Sequence, residues 1–243
     1  MANIDNISFL GKNVLLRVDF NVPLDDFLNV TDDSRIVAAL PTIKKISFQG
    51  GRVIIMSHLG RPKSGFEKKF SLKNVVPRLE KLLGKTVLFS EDCIGFKANS
   101  AVNKMKNGDV LVLENLRFYL EETRGDKRFA KKLSELGDFY VNDAFGTVHR
   151  EHASTSVIAG FFVKKKYFGL LLEKELKSLE KALKKPKRPF TAIIGGAKIS
   201  GKIDVIHSLL SIVDNLIIGG GMAYTFAKAM GGEIGSSLVK KKK

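Results

Sequence analysis

Val14-Leu15-Leu16-Arg17-Val18-Asp19-Phe20-Asn21-Val22-Pro23 opens as a short apolar run and ends in a polar loop that leads to Arg35. The same event recurs three times. Val53-Ile54-Ile55-Met56 runs into Ser57-His58-Leu59-Gly60-Arg61-Pro62, and Val110-Leu111-Val112-Leu113 runs into Glu114-Asn115-Leu116-Arg117-Phe118. Phe139-Tyr140-Val141 runs into Asn142-Asp143-Ala144-Phe145-Gly146-Thr147-Val148-His149-Arg150. Each time an apparent strand ends and an arginine follows. In an open parallel sheet the carboxyl ends of the strands share one edge, and ligands bind there. Four segments far apart in sequence could therefore deliver Arg35, Arg61, Arg117 and Arg150, with His58, to one pocket. Guanidinium groups offer planar, paired donors, so such a pocket suits a small, multiply charged anion.

Outward from these runs, short apolar segments alternate with longer amphipathic ones, the pattern of a βαβ series. Strands are predicted at 13–18, 52–57, 86–89, 109–113, 138–142, 190–194 and 214–218, and helices near 34–49, 71–83, 97–106, 127–136, 170–184, 201–212 and 221–230. The fold class is α/β, with a Rossmann-like parallel sheet. Ser71 is a predicted N-cap, and Gly84 follows the helix it would end. The strongly amphipathic stretch 170–184 runs into Lys184-Lys185-Pro186-Lys187-Arg188-Pro189, a stiff basic break. A domain boundary is expected there, with a first domain at 1–169, a connecting helix at 170–185 and a second unit at 186–243. That second unit has two predicted strands and looks too small to close a core by itself. Exposed apolar edges are expected at 190–194 and 214–218, with a risk of aggregation.

The chain has 243 residues, 44% of them hydrophobic, and a net charge of +16 from 41 basic and 25 acidic residues. No apolar run is long enough to span a bilayer, and the start lacks a signal pattern, so a cytoplasmic protein with no membrane partner is expected. Cys93, the single cysteine, reads as a buried thiol. The positive charge invites a nucleic-acid reading. The basic residues are nevertheless dispersed and not interleaved with aromatics as a single-strand groove requires. A diffuse field attracting anionic metabolites is the milder reading.

Asp19, Asn21 and Arg35 flank a loop whose Asp and Asn also suit ordinary turn chemistry and helix capping. Arg17, inside the strand pattern, reads as a structural ion-pair partner. His58 stands beside Gly60 and Arg61 at a strand end, which favours ligand contact over a purely structural role. His149 and His152 flank Arg150 without metal-ligand spacing, and His149 reads as a support for Arg150. Gly195-Gly196-Ala197-Lys198-Ile199-Ser200-Gly201-Lys202 follows the strand at 190–194 and opens a helix, where backbone N–H groups favour phosphate. A Walker loop is rejected, because Ile203 stands where its Ser or Thr must be. Lys198 and Lys202 are four apart and could share a helical face. A second glycine turn at Gly219, Gly220 and Gly221 repeats the arrangement, and the pair points to a nucleotide site.

The segments RVDFNVP (17–23), SHLGRP (57–62), ENLRF (114–118), NDAFGTVHREHAS (142–154), GGAKISGKI (195–203) and GGGMAYTF (219–226) together resemble the phosphoglycerate kinase family. The resemblance implies a glycolytic kinase that moves the acyl phosphate of 1,3-bisphosphoglycerate to ADP, giving 3-phosphoglycerate and ATP with Mg2+. By motif, substrate binding falls to Asp19, Asn21, Arg35, His58, Arg61, Arg117 and Arg150, and nucleotide binding to Lys198, Lys202, Gly219 and Gly220. Arg35 and Lys198 would carry the charge of the transferring group. The partners implied are these small molecules rather than nucleic acid, and the expected state is a monomer.

Members of the family continue well past Lys243. The expectation is accordingly a truncated chain, without the family's Mg2+-binding Asp, that binds 3-phosphoglycerate with impaired turnover. A non-catalytic anion-binding module is the alternative, and a nucleic-acid binder driven by net charge is the third reading.

Overall fold

The structure, a computed structural model, describes residues 2–63, 65–184, 186–197, 199 and 201–237. It divides into two compact units, residues 1–176 and 177–243. In the first unit the chain runs β1 (Ala2–Asn3), β2 (Asn13–Arg17), α1 (Ser34–Phe48), β3 (Arg52–Met56), α2 (Val76–Leu83), β4 (Leu88–Ser90), α3 (Gly95–Asn103) and β5 (Val110–Leu113). It continues through α4 (Leu120–Arg124), α5 (Lys127–Ser134), β6 (Phe139–Asn142) and β7 (Lys166–Phe168) into α6 (Leu170–Lys184), whose last turns belong to the second unit.

All seven strands pair in parallel, in the order β1-β7-β6-β2-β3-β5-β4. Apolar runs without alternation fit this arrangement, because central strands of such a sheet are buried on both faces. Val14, Leu16, Val53, Ile55, Val110 and Val112 pack on the side of α1 and α2. Leu15, Ile54, Met56, Leu111 and Leu113 pack on the side of α3 and α5. The sheet is wound on both faces, as a Rossmann-like domain is. Each such side chain contributes about 1.5–3 kcal/mol of burial. After β2 the chain adds β3 beside it, β4 at the far edge and β5 between those two, then crosses back to add β6 and β7 on the other side. The order therefore reverses beside β2, and the crevice of such a sheet opens at the carboxyl ends there.

Local signals explain the element ends. The Ser71 side chain accepts from the Lys73 backbone N–H at 3.2 Å, and Gly84 closes α2 in the left-handed conformation at φ 68°. The helix predicted at 71–83 is divided: Leu72–Val75 is a 3₁₀ turn and the α-helix begins at Val76. Pro77, which lacks an N–H, suits that start. β1, β7 and α4 were not predicted. They have two, three and five residues, too few for a periodic pattern to register.

The second unit contains β8 (Thr191–Gly195), α7 (Ile203–Leu210), β9 (Asn215–Gly219) and α8 (Gly221–Ala229). β8 and β9 pair in parallel, from Thr191 with Asn215 to Gly195 with Gly219. Ile193 and Ile217 are register partners and are 74% and 51% exposed. The apolar surface expected on the strand edges therefore lies on a face of the pair, because alternate side chains of each strand turn to the same side.

Candidate functional site

The loops after β6, β2, β3 and β5, four neighbouring strands, supply the candidate residues of the first unit. Hydrogen bonds lock the β2, β3 and β5 loops to one another. Ser57 Oγ accepts from the Phe20 N–H at 2.8 Å and donates to the Val18 carbonyl at 2.8 Å, tying the β2 loop to the β3 loop. Asn21 Oδ1 accepts from the Gly60 N–H at 2.7 Å. Asn115 Nδ2 donates to the Leu59 and Phe70 carbonyls at 2.7 and 2.8 Å. Arg117 donates to the Gly60 carbonyl at 2.8 Å. Gly60 has φ 62°, and a Cβ there would stand 2.3 Å from the Phe70 ring, so the turn requires glycine.

Three of the arginines meet. Arg61, Arg117 and Arg150 line one cleft of about 310 Å³ together with Pro62, Tyr119, Leu120, Thr123 and His152. No carboxylate lies among these residues. Arg35 sits in the first turn of α1 and faces a separate recess, where it donates to Asp19 at 2.6 Å. Asp19 in turn lies 3.9 Å from His58 Nδ1. Asn21 lines a third recess beside Gly60. The residues expected to share one pocket are thus split: three arginines in the cleft, Arg35 and Asp19 in a recess of their own, His58 buried beside Arg17, and Asn21 bracing the Gly60 turn. Arg35 is engaged in its recess by the Asp19 carboxylate.

The electrostatics follow from this crowding. His58 is buried, and its pKa falls to about 2, first through burial and then through Arg17, Arg117, Arg150 and His152. His152 falls to about 4 through burial, Arg117, Arg150 and Arg17. Burial and the neighbouring Arg150 and Arg17 also lower Arg117. A site that suppresses extra positive charge this strongly is one that an anion would relieve.

Sequence reasoning passed over several of these groups. Arg17, read as a structural ion-pair partner, is buried; it donates to Ser154 Oγ at 2.9 Å and to the Val18 carbonyl, and it reaches the buried carboxylate of Glu122 through Ser154. His152, rather than the exposed His149, lines the cleft. Ser154 lies in a π-helical turn, Ala153–Val157, a feature frequent near functional sites. Nothing in the spacing of Glu122 marked it. Cys93 is a free, buried thiol, with its pKa raised by burial.

In the second unit Lys198 lies outside the described residues. Lys202 caps α7 from a turn, so the helical-face argument does not apply to it. Its nearness to the glycine turn has another origin: a Cβ on Gly196 would lie 3.6 Å from Lys202 Nζ, so the ammonium folds over that turn. The two glycine turns also touch. Met222 N–H donates to the Gly196 carbonyl at 2.9 Å, and a Cβ on Gly220 would come 3.0 Å from Gly196 N. Gly219, Gly220 and Lys202 are therefore grouped around Gly196.

A family model described as phosphoglycerate kinase matches residues 4–243. The phosphoglycerate kinase of Porphyromonas gingivalis is 52% identical over 98% of this chain and 62% of its own length. That of Chlorobium phaeovibrioides is 54% identical over 99% of this chain and 60% of its own. Among solved structures, phosphoglycerate kinase from Coxiella burnetii superposes with a TM-score of 0.82 at 42% identity, over 97% of this chain and 59% of that one. The enzyme from Pyrococcus horikoshii OT3 does so with 0.84 at 34% identity, with the same coverage. The chain spans about 60% of the length of these relatives. With a family model matched over almost every residue and relatives half identical to it, the chain belongs to the phosphoglycerate kinase family.

Proposed function

We propose that the cleft of Arg61, Arg117 and Arg150 binds 3-phosphoglycerate and its acyl phosphate, 1,3-bisphosphoglycerate, and that the whole enzyme transfers that phosphoryl group to ADP. The observation that carries this reading is the convergence of three guanidiniums and His152 on one cleft with no acidic residue in its lining. A doubly acidic metabolite supplies the missing charge through paired, charge-assisted hydrogen bonds. Asp19, Asn21, Arg35 and His58 complete the binding residues. Residues 1–169 form the phosphoglycerate-binding domain, 170–185 the connecting helix, and 186–243 nucleotide-binding sequence. There Lys198, Lys202, Gly219 and Gly220 take the phosphates and wall of ADP or ATP. The close contact of the two glycine turns beside Lys202 supports that assignment.

The substrate is an activated acyl phosphate, so the chemistry asks for no protein nucleophile. An oxygen of the ADP β-phosphate forms the new bond to phosphorus as the bond to the carboxyl oxygen breaks. The carboxylate of 3-phosphoglycerate leaves with the electron pair. The chain's residues contribute alignment and fixed positive charge. Arg35 and Lys198 are assigned to the transferring group, and loss of either costs on the order of several kcal/mol of transition-state stabilisation. The described residues do not fit a resident metal, for they hold no cluster of three or more His, Cys, Asp or Glu side chains placed to bind one. Mg2+ is therefore assigned no ligand among them.

Calorimetric titration with 3-phosphoglycerate tests the binding, and a coupled ADP/ATP assay on the same sample tests the transfer. Saturable binding that Arg117→Leu abolishes is expected. A wild-type chain that ignores 3-phosphoglycerate yet binds polyanionic RNA would replace this reading with the nucleic-acid one.

A further inference from the structure

The buried chain Glu122–Ser154–Arg17–His58 lies behind the cleft and is not explained by ligand contact. Ser154 donates to Glu122 twice, from its backbone N–H to Oε2 at 2.9 Å and from its hydroxyl to Oε1 at 2.6 Å. With its proton given to Glu122, the Ser154 hydroxyl accepts from Arg17 Nε at 2.9 Å. The other end of the Arg17 guanidinium, Nη2, lies 3.3 Å from His58 Nδ1. Arg17, Glu122 and Ser154 are each 1% exposed or less.

Arginine has five N–H donors and no acceptor. The contact at His58 Nδ1 is therefore a hydrogen bond only if that nitrogen keeps its lone pair, and the ring then carries its proton on Nε2. The competing arrangement, Nδ1–H donating to Asp19, is disfavoured by geometry. Asp19 Oδ1 is 3.9 Å away, and the Asp19 carboxylate is occupied by Arg35 and by the Asn21 N–H.

We infer that Glu122 and Ser154 are positioning residues: acting through Arg17, they fix His58 as the neutral tautomer that donates from Nε2. The arrangement does two things at once. Glu122 offsets the buried charge of Arg17, so the guanidinium serves the imidazole rather than adding to the cleft. His58 then meets a bound anion as a neutral donor among the arginines, with its orientation set before the ligand arrives, and no proton has to move on binding. His58 is suited to this role because its neighbours Arg17, Arg117, Arg150 and His152 all oppose its protonation.

The test is nitrogen-15 NMR of the imidazole rings in the free protein at pH 7, with the His58 signals assigned by their loss in His58→Gln. The expected pattern has Nε2 protonated and Nδ1 unprotonated. A ring protonated on Nδ1, or on both nitrogens, overturns the inference. Ser154→Ala removes the hydroxyl between Glu122 and Arg17. It is expected to mix the two tautomers and to weaken 3-phosphoglycerate binding about 3- to 10-fold, the range of one misplaced hydrogen bond. Unchanged His58 nitrogen shifts in a folded Ser154→Ala would also overturn it. Should that variant not fold, Glu122→Gln is read in the same way, and the wild-type spectrum decides regardless. The binding arm rests on the function proposed above. A wild-type chain with the expected spectrum and no affinity for 3-phosphoglycerate would refute that function while leaving the tautomer assignment standing.

Discussion

Ile54 and Ile217 both stand in short apolar runs of parallel strands, and they end in opposite surroundings. Ile54 is fully buried in β3 between neighbouring strands and the helices on its face, whereas Ile217 in β9 is half exposed beside an exposed Ile193. The two candidate sites differ in the same way. The arginine cleft is bordered by loops after β2, β3 and β5 that hydrogen-bond to one another, so its walls are fixed by several distant segments. The glycine site of the second unit is placed by the contact of two turns at the ends of a single strand pair. A sheet closed on both faces can hold charged groups of one sign against their mutual repulsion. A strand pair can shape backbone but has little packing with which to hold side chains.

The contrast is broken most directly by truncating the two isoleucines. Ile54→Ala is expected to cost about 2–5 kcal/mol, the loss for a large side chain in a closed core. Ile217→Ala is expected to stay within about 0.5 kcal/mol, as surface changes do. Urea unfolding measures both, and comparable losses would show that the second unit carries a real core on that face.

A second comparison separates the sites by ligand. Arg61 is exposed and lines the cleft, so Arg61→Ala removes a charge-assisted donor without disturbing the fold. The expected result is a Kd for 3-phosphoglycerate about 10- to 100-fold higher with an unchanged melting temperature. Lys202→Ala should leave that Kd alone and weaken ADP. If Lys202→Ala weakened 3-phosphoglycerate as much as Arg61→Ala does, the division of labour between the units would fail.

Acid sharpens the same point, because the histidines with strongly lowered pKa belong to the first unit. The folded pKa of His58, about 2, lies below the ordinary value of 6.5. Between those two values the unfolded chain binds the proton and the folded chain does not. Stability therefore falls as the pH drops below about 6.5, by up to about 1.4 kcal/mol per pH unit for one such group. His152 adds to the slope down to about pH 4. Urea midpoints at pH 7, 6 and 5 should decline, and His58→Gln should flatten the decline. Bound 3-phosphoglycerate should flatten it too, since an anion in the cleft lowers the cost of a positive charge there.

Much of this was legible in the sequence, for identifiable reasons. Strands buried on both faces leave unbroken apolar runs, so β2, β3, β5 and β6 could be read with their trailing arginines. The Ser71 cap and the Gly84 stop are local chemistry and were equally readable. Strand order was not readable, because it depends on which runs pair across distances of up to more than a hundred residues. β7, at Lys166–Phe168, follows a lysine run and has no pattern of its own. The pairing of Arg35 with Asp19 and the burial of Glu122 against Ser154 are contacts that only the closed sheet creates. In the second unit the glycines were plain, while the fold of Lys202 over Gly196 depends on a turn that its spacing had disguised as helix.

The smallest expected effect is also the finest probe of how the second site is built. Gly84 and Gly220 have almost the same φ, 68° and 67°, but ψ is 24° at Gly84 and −165° at Gly220. The first is the ordinary left-handed helix stop, which asparagine also adopts, and a Cβ there meets nothing within 4 Å. The second lies in a region open essentially to glycine alone, and a Cβ there would press on Gly196 N and O at 3.0 and 3.1 Å. Gly220→Ala is therefore expected to cost about 1 kcal/mol more than Gly84→Ala. Amide exchange across β8 and β9 reads the first loss, and exchange at the end of α2 reads the second. The excess should come with weaker ADP binding only for Gly220→Ala, because that turn is in direct contact with the Gly196 turn under Lys202. Equal losses at the two glycines, with ADP affinity intact, would mean that the contact between the turns shapes no site.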